Sequence, residues 1–253
     1  MSQFKDLAEL KSFNRVVVTI RHKKDREEQA ACQYFGSAVL ATSDKAVERK
    51  KELLAPDDLV VGGLLLVRAA LRQFGASVPA PLDYPEVLAP WLHRKLRQAT
   101  LEQVLAQLEK TGAAMFVKPA TRVKRFTGFV LEDVYDYRIA GVSRKEPVWV
   151  SAIVKFESEY RYYVVDGEVL TRGVAVPGLL PDDAQVAAAA RAYSAAGAPR
   201  GYALDFGVLS TGETALVEAN DAFSLGLYPE ADPKAYLLML AVRWKELLAT
   251  TTV

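Results

Sequence analysis

The chain holds one cysteine, Cys32, and two histidines, His22 and His93, among 253 residues. A lone thiol excludes an internal disulfide, and so few thiols and imidazoles leave no ligand set for zinc. A Ser-His-Asp or Cys-His triad would have to use one of the two histidines, and neither lies in a recognisable motif. Net charge is only +1, so there is no broad electrostatic case for nucleic acid or an anionic membrane as partner. No apolar run reaches the ~18 residues of a membrane-spanning helix. The opening MSQFKDLAEL is too acidic and amphipathic for a signal peptide, which makes a reducing cytoplasm the expected location. Neither GxGxxG nor GxxxxGK[ST] occurs, and Gly62-Gly63 reads as a structural pair.

What remains is ordinary globular material, 51% hydrophobic and 25% charged, enough for one large domain or two smaller ones packed together. RVVVTI at 15–20 predicts a strand, 44–54 a short charged helix capped near Ser43 or Asp44, 59–61 a strand, and 64–74 an apolar helix closed by Gly75. Residues 76–90 carry Pro79, Pro81, Pro85 and Pro90 and read as a linker or extended arm. A boundary there gives an α/β unit over 1–90 and a larger α+β unit over 91–253. In the second unit, Thr100 and Gln103 form a capping box for a helix to Lys110. MFVK at 115–118 predicts a strand stopped by Pro119, and 148–156 predicts another. Residues 160–165 and 168–176 form a hairpin about Asp166-Gly167. An alanine-rich helix over 181–196 and an amphipathic helix over 233–248 complete the chain.

The stretch GYALDFGVLSTGETALVEAND is the most informative. Two apolar runs flank Ser210-Thr211-Gly212-Glu213, which predicts a hairpin with a four-residue loop. A symmetric loop sets Leu209 opposite Thr214 and therefore Asp205 opposite Glu218. Facing carboxylates repel, and a hard cation between them relieves that repulsion. Asn220, two residues beyond Glu218, points to the same face. An Asp, a Glu and an Asn oxygen together suit Mg²⁺ with positions left for phosphate oxygens and water. The alternative is a hairpin whose polar face is simply hydrated.

Cations gather elsewhere. Lys118, Arg122, Lys124 and Arg125 lie within eight residues, beside Gly128; such a loop either closes over a polyphosphate or is a solvated surface. Glu157, Glu159 and Arg161 alternate along one strand, with Arg161 as a bidentate clamp for phosphate or carboxylate, or as half of a surface ion pair. Trp149-Val150-Ser151 offers a backbone edge suited to an adenine ring, although Trp149 taken alone fits core packing.

In their order, these stretches resemble the ATP-grasp superfamily. The sequence runs through a basic residue (Arg94 or Lys95) before a helix, FVKPATRVKRFTGFV, VWVS, FESEYRYYV and LDFG…LVEANDAFSLGLY. Together with the lead-in DYPEVLAPWLHRK, they resemble most the arginine-to-lysine clade of that superfamily. The resemblance implies an α+β fold of two antiparallel-sheet lobes clasping ATP, lobe one near 91–147 and lobe two near 148–253, behind a small α/β N-terminal unit. It implies Mg²⁺ on Asp205, Glu218 and Asn220, ATP phosphates on Lys118 and Lys124 with Arg94 or Lys95, and adenine on Trp149, Val150 and Ser151. Glu157 or Glu159 would hold the ribose, with Arg161 and Lys124 nearest the reacting phosphate. The implied activity is ATP- and Mg²⁺-dependent joining of a carboxylate to an amine through an acyl phosphate, on an amino acid or peptide. Two departures accompany it: Ala203 stands where many such ligases carry Arg, and TRVKRFTG replaces a glycine-rich loop. Both leave room for a nucleotide-binding protein without turnover.

Overall fold

The computed structural model describes residues 8–20, 25–121 and 126–249. Its first sheet is parallel, in the order β2-β1-β3, with β1 Arg15–Thr19, β2 Val39–Thr42 and β3 Asp58–Val61. The β-branched run Val16–Val18 has no exposed surface, as a strand covered on both faces requires. A short α1, Ala8–Lys11, precedes it. Asp25 and Glu28 form a capping box that starts α2, Arg26–Phe35. α3 runs only over Asp44–Glu48 with Ser43 as N-cap, shorter than its sequence predicts. The chain breaks at Lys50, φ 53°, and Gln73 captures the departing backbone by accepting from Leu54 N (2.7 Å) and donating to Glu52 O (2.9 Å). α4, Leu64–Gln73, follows β3 directly.

Two antiparallel four-stranded sheets make up the rest. The first lobe orders β4-β7-β5-β6, with β4 Leu96–Thr100, β5 Met115–Pro119, β6 Phe129–Leu131 and β7 Pro147–Ser151, backed by α5 Leu101–Thr111. The second orders β11-β10-β8-β9, with β8 Glu159–Val165, β9 Glu168–Val176, β10 Gly201–Val208 and β11 Thr214–Asp221. α6, Asp183–Ala195, covers one face of it; α7, Pro233–Ala249, covers the other and also packs on β3. That double contact is why α7 is buried on nearly every side rather than amphipathic: Leu237, Met239 and Ala241 are as enclosed as Tyr236 and Leu240. One core therefore joins the parallel sheet to the second lobe.

Where the chain crosses between lobes it leaves the strand its apolar pattern predicts. β7 ends at Ser151, and Phe156 makes a single isolated bridge to Leu209, just past the end of β10. The proline-rich stretch is extended and packed. Asp83 bridges Ala219, Leu88 is fully buried, and a 3₁₀ helix over Glu86–Trp91 sits against α6 and β11.

The residue leading into β8, Ser158, approaches β10 closely at one glycine. A Cβ on Gly207 would lie 2.1 Å from the Ser158 carbonyl oxygen, against backbone that cannot swing aside. Gly207→Ala should destabilise the protein by about 1–3 kcal/mol through overpacking, read as a lower urea midpoint at unchanged slope.

Candidate active site

The β10–β11 pairing puts Asp205 opposite Glu218, and β8 adds Arg161 opposite Asp205 on the other side. The hairpin reaches that register by an unexpected route. Its last ladder pair is Val208–Thr214, and Leu209 N then donates to Glu213 O (2.9 Å) to close a three-residue loop, one residue tighter than a symmetric loop predicts; an extra residue at Val217 restores the alignment before Glu218. Arg94 secures this bulge from across the cleft, donating to the carbonyls of Leu216 (2.8 Å) and Val217 (2.9 Å). Its guanidinium also lies over the rings of Tyr84 and Phe156. Burial lowers its pKa.

Arg161, Asp205 and Glu218 thus form one charged row across three strands. Arg161 grips Asp205 with both arms of its fork, 2.8 and 2.7 Å, while the Tyr228 ring lies 4.2 Å from the guanidinium carbon. Gly173, paired with Arg161 on β9, leaves the space that Tyr228 occupies: a Cβ there would sit 2.7 Å from the Tyr228 Cβ. Asn220 Nδ2 donates to Asp205 (3.0 Å) and to Glu218 (3.1 Å), so all three sequence-selected residues meet on one face. Lys118, from β5 of the first lobe, closes the row with its ammonium 2.5 Å from Glu218.

The electrostatics follow from burial. Burial pulls the Lys118 ammonium down, but the carboxylates of Glu218 and Asp83 outweigh it and raise it above the ordinary lysine range. Burial pushes Glu218 up, and Lys118 and Asn220 more than offset that, leaving it below the ordinary range. Burial lifts the Asp205 carboxyl against the pull of Arg161. The Glu159 carboxyl has no hydrogen bond among the described residues, and burial with Asp205 and Glu218 nearby pushes it up to about 7.

Facing carboxylates with an adjacent amide are hard oxygen donors of the kind a Mg²⁺ ion takes. In this arrangement Lys118, Arg161 and the Asn220 amide neutralise and saturate them. The set fits a divalent cation once Lys118 yields Glu218 and the Asn220 amide turns its oxygen inward, since the two ends of that amide are set only by their hydrogen-bond partners. Among the described residues no group of three His, Cys, Asp or Glu side chains converges on one point.

A cavity of about 160 Å³ adjoins Glu218 and Arg94. Its walls are Tyr84, Phe116 and Phe156 with the crossing segment 151–154. Ser151 lines it; Val150 lies in the first-lobe core, and the Trp149 indole turns away to donate to Asp83 (3.1 Å). The apolar surface with a backbone edge therefore falls at Ser151–Val154, displaced from the Trp149–Ser151 stretch chosen on sequence. Glu157 sits outside β8, 2.7 Å from Lys155 and apart from the Glu159–Arg161 face. Arg122, Lys124 and Arg125 lie outside the described residues.

Sequence reasoning missed Asp83 and its neighbour Tyr84. The single acid between Pro81 and Pro85 was the available signal, a charge held in a stiff segment. Asp83 has φ 48°, a conformation that Asp tolerates better than most residues and that still costs about 1–3 kcal/mol.

The family model described as an ATP-grasp domain of the arginine-to-lysine clade, family 2, matches residues 91–239. No curated protein matches the chain. Among solved structures, it is similar to N5-carboxyaminoimidazole synthetase from Staphylococcus aureus at TM-score 0.54 and 10% identity, over 92% of this chain and 78% of that one. It is similar to the D-cycloserine synthetase DcsG at TM-score 0.53 and 12% identity, over 91% and 99%. A third is the ligase PsnB, complexed with a phosphomimetic variant of its minimal precursor, Mg and ADP, at TM-score 0.50 and 15% identity, over 95% and 99%.

Two outcomes test the geometry. Arg94→Met strands the Leu216 and Val217 carbonyls in a buried position and should cost about 1–3 kcal/mol in equilibrium unfolding. The carboxyl of Glu159 holds its proton more tightly folded than unfolded, so metal-free stability should fall as pH rises from about 4.5 to about 7. Glu159→Gln should flatten that slope in urea titrations at stepped pH.

Proposed function

The chain belongs to the ATP-grasp family, in its arginine-to-lysine clade, and from that premise we propose that it is an ATP-dependent ligase joining a carboxylate to an amine. The single observation that carries this reading is the convergence of Asp205, Glu218 and Asn220 with Lys118 beside an apolar cavity. The cavity takes the adenine, with the Ser151–Val154 backbone along one side and Tyr84 and Phe156 against its faces. Lys118 and Lys124 attract the phosphates, and Glu157 or Glu159 takes the ribose. Arg94 keeps β11 in register, so that Glu218 faces the phosphate end of the nucleotide.

Asp205, Glu218 and Asn220 would hold Mg²⁺, which offsets charge on the phosphates as the terminal bond breaks. In this reading the substrate carboxylate attacks the γ-phosphate, ADP leaves, and an amine displaces phosphate from the acyl phosphate. No side chain of this chain becomes covalently modified. The protein supplies fixed positive charge and orientation, which is where most of the rate enhancement for such a transfer arises. Arg161 acts through Asp205: its fork is filled by that carboxylate and its face by Tyr228, so it sets the ligand's orientation. An amino acid or peptide is the substrate class we favour; among the similar structures, PsnB is a ligase that binds a precursor and DcsG is a D-cycloserine synthetase. A reducing cytoplasm is the setting we favour, consistent with a single cysteine. No helix among the described residues is long and apolar enough to cross a membrane.

The test is ADP release with ATP, Mg²⁺ and a panel of amino acids and short peptides. Turnover should appear with a subset of acceptors and fall at least ~100-fold in Asp205→Asn, the scale expected when one preorganised charge is removed. Binding of ATP without turnover on any acceptor, unchanged in that variant, would instead make the chain a nucleotide-binding protein that lacks ligase activity.

A further inference from the structure

Asp83 lies ahead of the family-matched residues 91–239, yet its side chain reaches into the site between the lobes. Its carboxylate Oδ1 is 2.5 Å from the Lys118 ammonium, the same distance that separates Lys118 from Glu218. Lys118 is therefore shared between two carboxylates of unequal freedom. The Glu218 oxygens are those a divalent cation would claim. Asp83 is pinned: its other oxygen accepts from Trp149 Nε1 (3.1 Å), and its carbonyl accepts from Ala219 N (2.8 Å), one residue from Glu218. Lys118 and Trp149 are register partners on β5 and β7, which is why both reach one acid. The Tyr84 ring, 5.3 Å from the ammonium, closes the remaining side.

We infer that Asp83 is the positioning residue for Lys118: it holds the ammonium in the cleft after Glu218 has been given up to the metal. The inference rests on the ligase reading for the identity of the metal and phosphate, but the hold itself exists without either. With Asp83 present, Lys118 exchanges one carboxylate for phosphate oxygens and keeps the other. Without it, Lys118 is left to Glu218 alone and competes with Mg²⁺ for that carboxylate. Asp83→Asn is the informative change, because Asn also accepts a left-handed φ and keeps an oxygen for Trp149.

The full-length protein with ¹⁵N-lysine should show a slowly exchanging Lys118 ammonium resonance in the absence of metal and nucleotide, assigned by its loss in Lys118→Arg. That resonance should broaden away in Asp83→Asn. Persistence there would overturn the inference, whatever the protein catalyses. In wild type, saturation with Mg²⁺ and ADP should leave the Trp149 indole resonance at its hydrogen-bonded position, and movement to an unbonded position would also overturn it. Turnover of Asp83→Asn should show a Mg²⁺ half-saturation raised about 10-fold with kcat at saturating Mg²⁺ changed much less; an unaltered half-saturation would count against the role. Absence of calorimetric heat for Mg²⁺ and ADP in wild type would defeat the ligase reading, while the ammonium resonance would still decide the role of Asp83.

Discussion

Much of the second lobe is arranged around one requirement, that Asp205 be ionised with almost no access to water. It is 1% exposed, and an isolated carboxylate there would be protonated or would unfold its surroundings. Arg161 from β8 and Asn220 from β11 reach it only because three strands hold one register, and Arg161 reaches no further because Tyr228 and Gly173 close its far side. Breaking such a pair by removing one partner typically costs about 3–5 kcal/mol, since the other charge is left uncompensated. The same row that satisfies Asp205 presents Glu218 toward the first lobe, where Lys118 meets it. Electrostatic necessity in one sheet thus becomes an ionic contact between two sheets.

How much of this was legible in the sequence depends on range. Strands β8, β9, β10 and β11 were readable because alternation and turn residues are local signals. The facing of Asp205 and Glu218 was also reached, although the loop is one residue tighter than expected and the Val217 bulge makes up the difference. A bulge of that kind is held by Arg94, which arrives from more than a hundred positions away, so no local pattern announces it. α7 shows the same limit: its enclosure comes from the parallel sheet on its far side, and amphipathicity is a useful expectation only for a helix with one wet face.

Asp83 was missed for a different reason. Proline-rich stretches are read as spacers because they cannot donate regular ladders of hydrogen bonds. Yet stiffness is what a residue needs when it must hold its side chain in place without a sheet around it. Pro81 and Pro85 restrict the backbone on either side of Asp83, and one backbone bridge to Ala219 with the side-chain contacts to Lys118 and Trp149 holds it. The segment joins the lobes by position rather than by extending either sheet.

That arrangement bears on why a lysine stands at the junction. A guanidinium is a rigid fork that suits one planar carboxylate, as Arg161 suits Asp205. An ammonium is a compact charge on a flexible stem with three donors, able to contact Asp83 and Glu218 at once and to trade one of them for another anion with little change in geometry. The fixed ion pair lies inside the sheet, where exchange would expose Asp205; the exchangeable one lies between sheets, where it must yield when Glu218 is needed elsewhere. Burial makes both pairs strong, and the choice of cation decides which of them can let go.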